Sequence, residues 1–537
     1  MTIRKAIPFV LFLSFSLIIF SCGSQKKEKA QIDKTITPET SYNNLFLDSA
    51  DIHVFIEKDT EYKDFEAMYV DFYRQRNFEF AWFDTSGLIE QAGNFVNLLN
   101  NDPTSVEDND SSVSDKKLQH ILDKYKRGIT RNQSRKDIIQ AELTLTGEFF
   151  KNAQEVFKGK GNIDAEQLGW FIPRKKIDFA GLLDSTLSGK EIAIADFLNP
   201  QFKKLRAFLQ KYIDLKKADS WDSIGLDVPK LKLNDSNTAV QLIQHRLYLL
   251  GDLDEDIQSD QYDKATEEGV INFQKRYGLS PDGVVGPNFM KALNIPIDTL
   301  IRDITVNLER VRWIPAELPK EYIWVNIPDY KLDAYQNGEK VFSMRVIVGS
   351  AAHGTTIFSG NIKYVVFAPY WNVPRSIVLK EILPGIKNDP DYIRKHNMEV
   401  TGYNQGIPDV RQLPGPDNAL GRVKFLFPNS YNIYLHDTPN HDLFTSRNRG
   451  LSHGCVRLSD PEKMADWLLR DDSVKYSKPI IDSLMNKNVK EKWVTLEKTV
   501  PVYLVYFTSW VDEKGRLNIR KDIYGHDAIM ANKLFSY

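Results

Sequence analysis

The chain has 537 residues, of which 42% are hydrophobic and 26% are charged, and its formal net charge is -2 at pH 7. At about 100–200 residues per domain, this length allows roughly three domains, each with enough apolar residues for a core. The near-balanced charge provides no basic surface of the kind that nucleic acid requires, so we exclude nucleic acid as a partner.

The N-terminus has the pattern of a secretory signal. Arg4 and Lys5 precede an apolar stretch that is too short for a typical membrane span and ends at Ser21-Cys22-Gly23. This ending resembles a bacterial lipobox, which implies cleavage before Cys22 and lipidation of that residue. The alternative is an ordinary secretory signal with an incidental cysteine.

We therefore predict a lipoprotein signal peptide over residues 1–21 and a flexible tether over residues 22–50, because the latter are polar with few apolar anchors. The implied location is the periplasm, with the lipid in the outer or the inner membrane of the envelope. The chain has two cysteines. If Cys22 is acylated, Cys455 is a lone thiol in a compartment where disulfides normally consume thiols, and it becomes a candidate reactive group.

Residues 51–228 read as a helical scaffold domain. Aromatic and apolar side chains recur there at helical spacing, as at Phe65, Tyr69 and Phe72. Residues 229–296 are more specific. Apolar residues from Val240 to Leu250 lie on one helical face, Gly251 fits a helix C-cap, and two further helices follow around "FQKRYGLSPDGVVGP". This segment resembles the small three-helix peptidoglycan-binding domain.

The periodicity changes to strands after a connector over residues 297–319. Short apolar runs at close spacing, with a hairpin signal at Asn337-Gly338, predict a mainly β domain over residues 320–499. A Pro-, Asp- and Gly-rich insertion at about residues 372–421 interrupts it, and a connection of this length is usually functional or disordered. Residues 500–537 are expected to form a C-terminal extension.

The chemistry is concentrated in "YLHDTP" and "SHGCVRL", which contain His436 and Cys455. A thiol needs a base or a positive neighbour to become a good nucleophile. His453 is only two residues from Cys455, a spacing that gives poor geometry for direct contact, whereas His436 ends a predicted strand and can meet the thiol from an adjacent element. Gly454 would let the backbone approach a substrate, and amides there could hold an oxyanion.

These residues resemble the L,D-transpeptidase (YkuD-like) catalytic domain. The likeness extends through "NLERVRWIP", "FAPYWNVPRSI" and "LPGPDNALGRVKFLFPN" to the large-type L,D-transpeptidases. The implied fold is a multidomain α+β protein with a helical scaffold, a three-helix peptidoglycan-binding domain and a mainly β catalytic domain with a capping insertion. The resemblance makes Cys455 the nucleophile and His436 the base. It implies that the Asp437 carbonyl orients the imidazole, that His453 and Arg457 shape the pocket, and that Tyr434 lies beside the oxyanion site.

The resemblance also implies the reaction. A tetrapeptide stem of peptidoglycan would acylate Cys455 as a thioester, and an amine of a neighbouring stem would then form a 3→3 cross-link, without a cofactor or metal. The residues leave open whether the acceptor is a stem, a free D-amino acid or an anchored protein. They also leave the oligomeric state open.

Two other classes of function, a zinc hydrolase and a wall-binding lipoprotein, are alternatives. A zinc hydrolase could use His436, His441, His453 and Cys455 as ligands, although no His-Glu-x-x-His segment is present. A lipoprotein that only binds the wall would leave the His436 and Cys455 pair without a purpose. We expect His353 and His441 to be surface or loop residues.

Overall fold

The structure is a computed structural model, and it describes residues 45–100, 111–130, 133–159, 163–173, 177–188, 198–218, 221, 223–225, 227–486 and 491–535. The predicted signal peptide, Cys22 and the tether up to residue 44 lie outside the described residues. The chain divides into two compact units, one within Met1–Gly93 and Ile121–Gly147, the other within Asn94–His120 and Glu148–Tyr537.

The described helices are α1 Ser49–Lys58, α2 Glu66–Gln75, α3 Glu90–Asn100, α4 Ser111–Tyr125, α5 Arg135–Lys158, α6 Phe179–Leu187, α7 Gln201–Lys217, α8 Ala239–Leu250, α9 Lys264–Arg276, α10 Pro287–Leu293, α11 Ile297–Val311, α12 Arg375–Ile377, α13 Leu383–Asn388, α14 Tyr392–Lys395, α15 Pro461–Leu468, α16 Lys478–Asn486 and α17 His526–Phe535. Within the described ranges, no helix has both the length and the apolar character needed to span a membrane.

The described strands are β1 Phe83–Asp84, β2 Gly87–Leu88, β3 Trp170–Phe171, β4 Tyr322–Asn326, β5 Lys331–Gln336, β6 Glu339–Gly349, β7 Ile357–Phe367, β8 Trp371–Asn372, β9 Met398–Asn404, β10 Ile407–Gln412, β11 Val423–Leu426, β12 Leu435–His436, β13 Gly450–Ser452, β14 Val456–Leu458, β15 Lys492–Val505, β16 Ser509–Val511 and β17 Leu517–Ile519. The expected multidomain α+β fold is confirmed.

The first unit is organised around a buried carboxylate. Glu142 accepts hydrogen bonds from the backbone amides of Ala81 and Trp82, at 2.6 and 3.0 Å, and from the Tyr73 hydroxyl at 2.8 Å. Burial raises the pKa of Glu142 to about 7, although these three donors act in the opposite direction. The carboxylate thereby joins helix α2, helix α5 and the chain before β1.

The three predicted helices of the peptidoglycan-binding domain are α8, α9 and α10. Helix α8 ends at Gly251, which has a φ of +81° in the left-handed region that glycine adopts without strain. Helix α9 begins after Asp263, whose carboxylate accepts from the Thr266 amide at 2.8 Å. The apolar residues on which the prediction rested, such as Val240 and Phe273, are fully buried.

A buried arginine joins this domain to the chain's C-terminal hairpin. The Arg276 guanidinium forms a bidentate ion pair with Asp252, and its side chain also donates to the Leu517 carbonyl in β17. Arg520 returns the contact, because it donates to the Arg276 carbonyl at 2.5 Å and to Asp329 at 2.7 Å. The binding domain is therefore docked through charged groups, each of which has a partner.

The catalytic domain is built on one sheet whose pairings close on themselves. The order β11-β12-β14-β6-β5-β4-β15-β7 returns to β11, because β7 also pairs with β11, while β3 and β13 extend the sheet at its margins. The predicted hairpin is present between β5 and β6, where Asn337 and Gly338 have φ values of +56° and +84°. Positive φ at both central residues matches the right-handed twist of the two strands.

Two chain segments outside the predicted strands complete this sheet. The domain boundary predicted at residue 499 falls inside β15. This strand pairs with β4 on one side and with β7 on the other, so the first residues of the predicted C-terminal extension belong to the sheet. Within the predicted scaffold, Trp170 and Phe171 form β3 and pair with β7. The predicted connector contains α11, whose Arg310 forms a buried ion pair with Asp527 of α17 at 2.5 Å.

The insertion between residues 372 and 421 is folded. It contains α12, α13, α14 and a three-stranded sheet in the order β8-β10-β9. Trp371, Tyr392 and other partly buried residues of the insertion pack against an apolar cluster of five buried side chains. These five are Val373, Ile377, Val378, Ile382 and Val410. Burial alternates along β10, where Pro408, Val410 and Gln412 are buried, as expected for a strand with one buried face.

The ion pair between Arg276 and Asp252 gives a test of domain docking. We expect Arg276→Met to destabilise the binding domain by roughly 3–5 kcal/mol, because it leaves the Asp252 carboxylate buried without its counter-charge. Urea unfolding of the soluble protein measures the change. The matched control is Arg394→Met, which removes an exposed ion pair with Asp391 and is expected to cost at most about 1 kcal/mol. Equal shifts in the two variants would contradict the assigned role of Arg276.

Candidate active site

A short parallel pairing brings the two sequence segments of the site together. Leu435 and His436 of β12 pair with Val456 and Arg457 of β14. The Val456 amide also donates to the Tyr434 carbonyl at 3.2 Å, which extends the pairing toward Cys455. Because alternate side chains of a strand share one face, Tyr434, His436, Cys455 and Arg457 point to the same side.

Strand β12 contains only two residues, Leu435 and His436. The Asn429 side-chain oxygen accepts from the amides of Tyr431 and Ile433, at 3.0 and 3.2 Å, and Asn432 has a φ of +56°. A side chain that satisfies the backbone in this way competes with strand pairing. The freed Asn432 carbonyl accepts from the Cys455 Sγ at 3.7 Å.

The four side chains interact in a ring. The Tyr434 hydroxyl hydrogen-bonds with the Cys455 thiol, and the Tyr434 and His436 rings lie 5.6 Å apart between centroids. The Arg457 guanidinium acts electrostatically on both His436 and Cys455. Its Nε is buried without a hydrogen-bond partner among the described residues. Tyr434 and Arg457 thus each interact with both the thiol of Cys455 and the imidazole of His436.

Burial and charge set the protonation states of these groups. Burial, followed by the positive charge of Arg457, lowers the pKa of His436 to about 3. Burial raises the pKa of Cys455, although Tyr434 and Arg457 act in the opposite direction. At neutral pH the resting site therefore contains a neutral imidazole that can accept a proton and a thiol that can donate one.

The imidazole is oriented by its neighbour's backbone. The Nδ1 of His436 lies 2.5 Å from the carbonyl oxygen of Asp437. An Nδ1–H donated to this oxygen leaves Nε2 unprotonated.

The turn that carries Cys455 is held by its own serine. Ser452 Oγ donates to the Cys455 carbonyl at 2.6 Å and accepts from the Gly454 amide at 3.1 Å. Gly454 has a φ of +117°, a backbone conformation that residues other than glycine rarely adopt. Because the Gly454 amide already has this partner, it does not match the sequence expectation of an amide free to hold an oxyanion.

Sequence reasoning missed the groups behind this turn. Thr355 Oγ1 donates to the Gly454 carbonyl at 2.8 Å, and the Thr355 amide donates to the Tyr524 hydroxyl at 3.2 Å. Tyr524 in turn donates to the Gly349 carbonyl at 2.6 Å. A tyrosine near the C-terminus thus supports the turn from residues far away in sequence, and no local pattern could have shown it.

His453 lies at the rim of the site, not in the ring. Its side chain is half exposed, its ring centroid is 5.1 Å from that of His353, and its Nε2 is 3.6 Å from Glu381 in the insertion. His353 is exposed, as expected for a loop residue. His441, expected at the surface, is also partly exposed, but its Nε2 lies 3.3 Å from the buried carboxylate of Asp437.

The zinc alternative can be tested against these positions. Across the described part of the chain, no group of three or more His, Cys, Asp or Glu side chains is arranged to hold a metal ion. His436, His453 and Cys455 instead have the separate contacts described above, and His441 faces Asp437.

Three family models match separate segments of the chain. Residues 320–479 match the L,D-transpeptidase catalytic domain, residues 68–217 match the scaffold domain, and residues 236–293 match the "Putative peptidoglycan binding domain". The resemblance seen in the sequence is thereby confirmed. The chain combines a YkuD-type L,D-transpeptidase catalytic domain with a scaffold domain and a peptidoglycan-binding domain.

Similar proteins carry the same family name. A Haemophilus influenzae protein described as "Putative L,D-transpeptidase" is 34% identical over 244 residues, which are 42% of this chain and 48% of that protein. The match thus spans about half the length of this relative. Among solved structures, the L,D-transpeptidase of Xylanimonas cellulosilytica is 16% identical, with 52% of this chain and 98% of that chain covered and a TM-score of 0.17. The L,D-transpeptidase of Stackebrandtia nassauensis is 15% identical, with 53% of this chain and 97% of that chain covered and a TM-score of 0.22.

The Arg457 charge gives a test of the site's electrostatics. Arg457→Gln should raise the pKa of Cys455 further, because it removes a positive charge that favours the thiolate. In a Cys22→Ser background, where Cys455 is the single thiol, alkylation by iodoacetamide near pH 7 should slow several-fold and its midpoint should move to higher pH. Arg457→Lys, which keeps the charge, should leave the midpoint close to that of the parent protein. An unchanged midpoint in Arg457→Gln would mean that the guanidinium does not act on the thiol.

Proposed function

We propose that this chain is a cysteine-dependent L,D-transpeptidase that forms 3→3 cross-links between stem peptides of peptidoglycan. The observation that carries the proposal is the ring of Tyr434, His436, Cys455 and Arg457 on one face of β12 and β14, in a domain that matches this catalytic family. In this proposal His436 serves as the base for the Cys455 thiol, which lies on the same face of the paired segments, and covalent acyl transfer requires a thiol with such a base.

In the first half of the reaction, the Cys455 sulfur attacks the carbonyl of the third stem residue, a diamino acid, at its L-centre. His436 takes the thiol proton, and a carbon–sulfur bond forms as the amide bond to the terminal D-Ala breaks. The same imidazole returns the proton to the leaving amine, so D-Ala departs as a neutral amine and a thioester remains. The positive charge of Arg457 favours the thiolate character that develops at sulfur.

In the second half, an amine of a neighbouring stem attacks the thioester carbonyl. His436 accepts a proton from this amine and returns it to the departing sulfur, which restores the thiol and releases the cross-linked product. The route divides one difficult acyl transfer into two easier ones and needs no cofactor or metal. Water in place of the amine would give a hydrolysed stem.

The other parts of the chain fit an enzyme of the cell envelope. The peptidoglycan-binding domain at residues 236–293 would hold the glycan or its stems near the catalytic domain. The lipobox-like ending at Cys22 supports a lipid anchor in an envelope membrane, because several acyl chains on one cysteine give stable attachment where a single chain would not. The periplasm is therefore the proposed location.

Replacement of the nucleophile tests the proposed reaction. Cys455→Ala should lower formation of cross-linked dimers from tetrapeptide stems to below about 1% of the wild-type rate, because a covalent nucleophile typically contributes several orders of magnitude. Mass spectrometry of the products measures this, and circular dichroism verifies the fold. Cys22→Ser, the matched cysteine control, should retain the rate in the soluble protein. Dimer formation by Cys455→Ala above this level would refute the assignment.

We also propose that the insertion at residues 372–421 caps the Cys455 site. Two observations support this role. Glu381 of the insertion lies 3.6 Å from His453, which is two residues before Cys455, and the insertion has its own apolar core. A folded cap would position the donor stem and limit the entry of water, so that an amine is the more successful acceptor.

The ends of the insertion lie close together, which makes a clean deletion possible. Asn418 Nδ2 donates to the Pro369 carbonyl at 3.1 Å, so residues 371–417 can be replaced by Gly-Ser-Gly. We expect alkylation of Cys455 by iodoacetamide to stay near normal, cross-linking to fall by more than about tenfold, and the share of hydrolysed stems to rise. A deletion that leaves the ratio of cross-linked to hydrolysed product unchanged would argue against a cap.

A further inference from the structure

The residue after the imidazole carries a buried carboxylate that forms an ion pair with Arg422 and has a histidine beside it. The Asp437 side chain is 1% exposed. Its Oδ2 accepts from the backbone amide and the Nε of Arg422, both at 2.9 Å, and its Oδ1 lies 3.3 Å from His441 Nε2. A buried carboxylate with these partners is held in one position, because any rotation would break an ion pair and leave a charge uncompensated.

The main chain of Asp437 is held as firmly as its side chain. Its amide donates to the Val423 carbonyl at 2.9 Å, and its own carbonyl is the oxygen 2.5 Å from Nδ1 of His436. The peptide group that orients the imidazole is therefore located by β11 on one side and by the Arg422 guanidinium on the other. The carboxylate and the carbonyl belong to the same residue and are joined through only Cβ and Cα, so fixing the carboxylate restricts the carbonyl as well.

The end of the insertion passes directly against this carboxylate. Gly421 has a φ of +63°, and a Cβ added there would lie 2.5–2.6 Å from atoms of the Asp437 side chain. The next residue, Arg422, accepts from the Ala368 amide through its carbonyl at 2.9 Å and donates through Nη1 to Asn486 at 3.0 Å. The point where the insertion rejoins the sheet is thus the point where Asp437 is held.

We propose that Arg422 and His441 are positioning residues that hold the Asp437 carbonyl, and through it the His436 imidazole, in the orientation that accepts the Cys455 proton. The proposal rests on the proposed role of His436 as the base. It makes the exit of the insertion part of the catalytic machinery, because the arginine that follows Gly421 contacts the residue that orients the base.

The charges around His436 oppose one another. The Asp437 anion favours the protonated imidazole, whereas burial and Arg457 disfavour it. The titratable and charged groups that face this pair are Arg422, which directly precedes β11, His441 from the segment after β12, Arg457 from β14, and Tyr434 and Cys455 beside the imidazole. Loss of the Arg422 guanidinium therefore leaves the carboxylate with only the Arg422 backbone amide and His441 as described partners, and it loosens the residue whose carbonyl contacts His436.

The test measures base-assisted acylation of Cys455 directly. In the full chain with Cys22→Ser, p-nitrophenyl acetate acylates the thiol, since the carbon–sulfur bond forms as the ester bond breaks and the thiol proton goes to His436. The burst of p-nitrophenol gives the rate from about pH 6 to pH 10. His436→Ala defines the rate without the base.

We expect Arg422→Met and Asp437→Ala to slow the burst near pH 7 by roughly tenfold, a part of the about 10²- to 10⁴-fold that a positioned base contributes. The difference should close near pH 10, where the thiol ionises unaided. Arg422→Lys should recover part of the rate, and His441→Asn should lose less than Arg422→Met. In cross-linking, kcat should fall while KM stays near the wild-type value.

The matched control is Arg411→Met, because Arg411 is as exposed as Arg422, at 35% against 33%, and pairs with Glu399 in the insertion instead of Asp437. It should keep the wild-type profile. A wild-type profile in Arg422→Met, or an equal loss at every pH, would overturn the proposal, and Arg422→Met remains informative if Asp437→Ala does not fold. Absence of cross-linking by the wild-type protein would instead refute the proposed function, because the burst does not depend on that reaction.

Discussion

The site depends on the parallel pairing of two very short strands. β12 and β14 share only the pairs Leu435–Val456 and His436–Arg457, yet this register places the thiol and the imidazole on one face. A slip of one residue would turn one of these strands over and separate Cys455 from His436. The neighbouring strands β11 and β6 flank the pair, so the long strands of the closed sheet supply the rigidity that two residues cannot supply alone.

Side chains on both sides of this pairing limit it to the residues next to Cys455 and His436. Asn429 satisfies the backbone before Leu435, and Ser452 closes the turn before Cys455. Both segments therefore enter the sheet immediately beside their reactive residue. The thiol and the imidazole then lie in a setting where burial opposes charge on either group, and Arg457 adds to this effect at the imidazole while opposing it at the thiol. Such a site rests in its neutral form and separates charge only when a substrate reacts.

The remaining parts of the second unit are attached through paired charges. Arg276 and Arg520 join the binding domain to the hairpin of β16 and β17, and Arg422 joins the end of the insertion to Asp437. Each arginine offers several donors in a fixed plane, so it specifies an orientation as well as a contact. The same chemistry thus fixes the module expected to hold the substrate and the loop expected to cover it.

The sequence by itself determined the modules, and it predicted that His436 and Cys455 lie on adjacent elements. Gly251 and the apolar face from Val240 predicted the three-helix domain, Asn337-Gly338 predicted the hairpin, and the spacing around Cys455 singled out His436 over His453. These features depend on neighbours within a few residues, and local patterns report them well. The tertiary structure decided what long-range contacts set: the folded core of the insertion, the place of β15 inside the sheet, the Thr355 and Tyr524 support of the turn, and the Arg422–Asp437 ion pair. Burial and the partners of a charge depend on residues far apart in the chain, so they exist only once the sheet has closed.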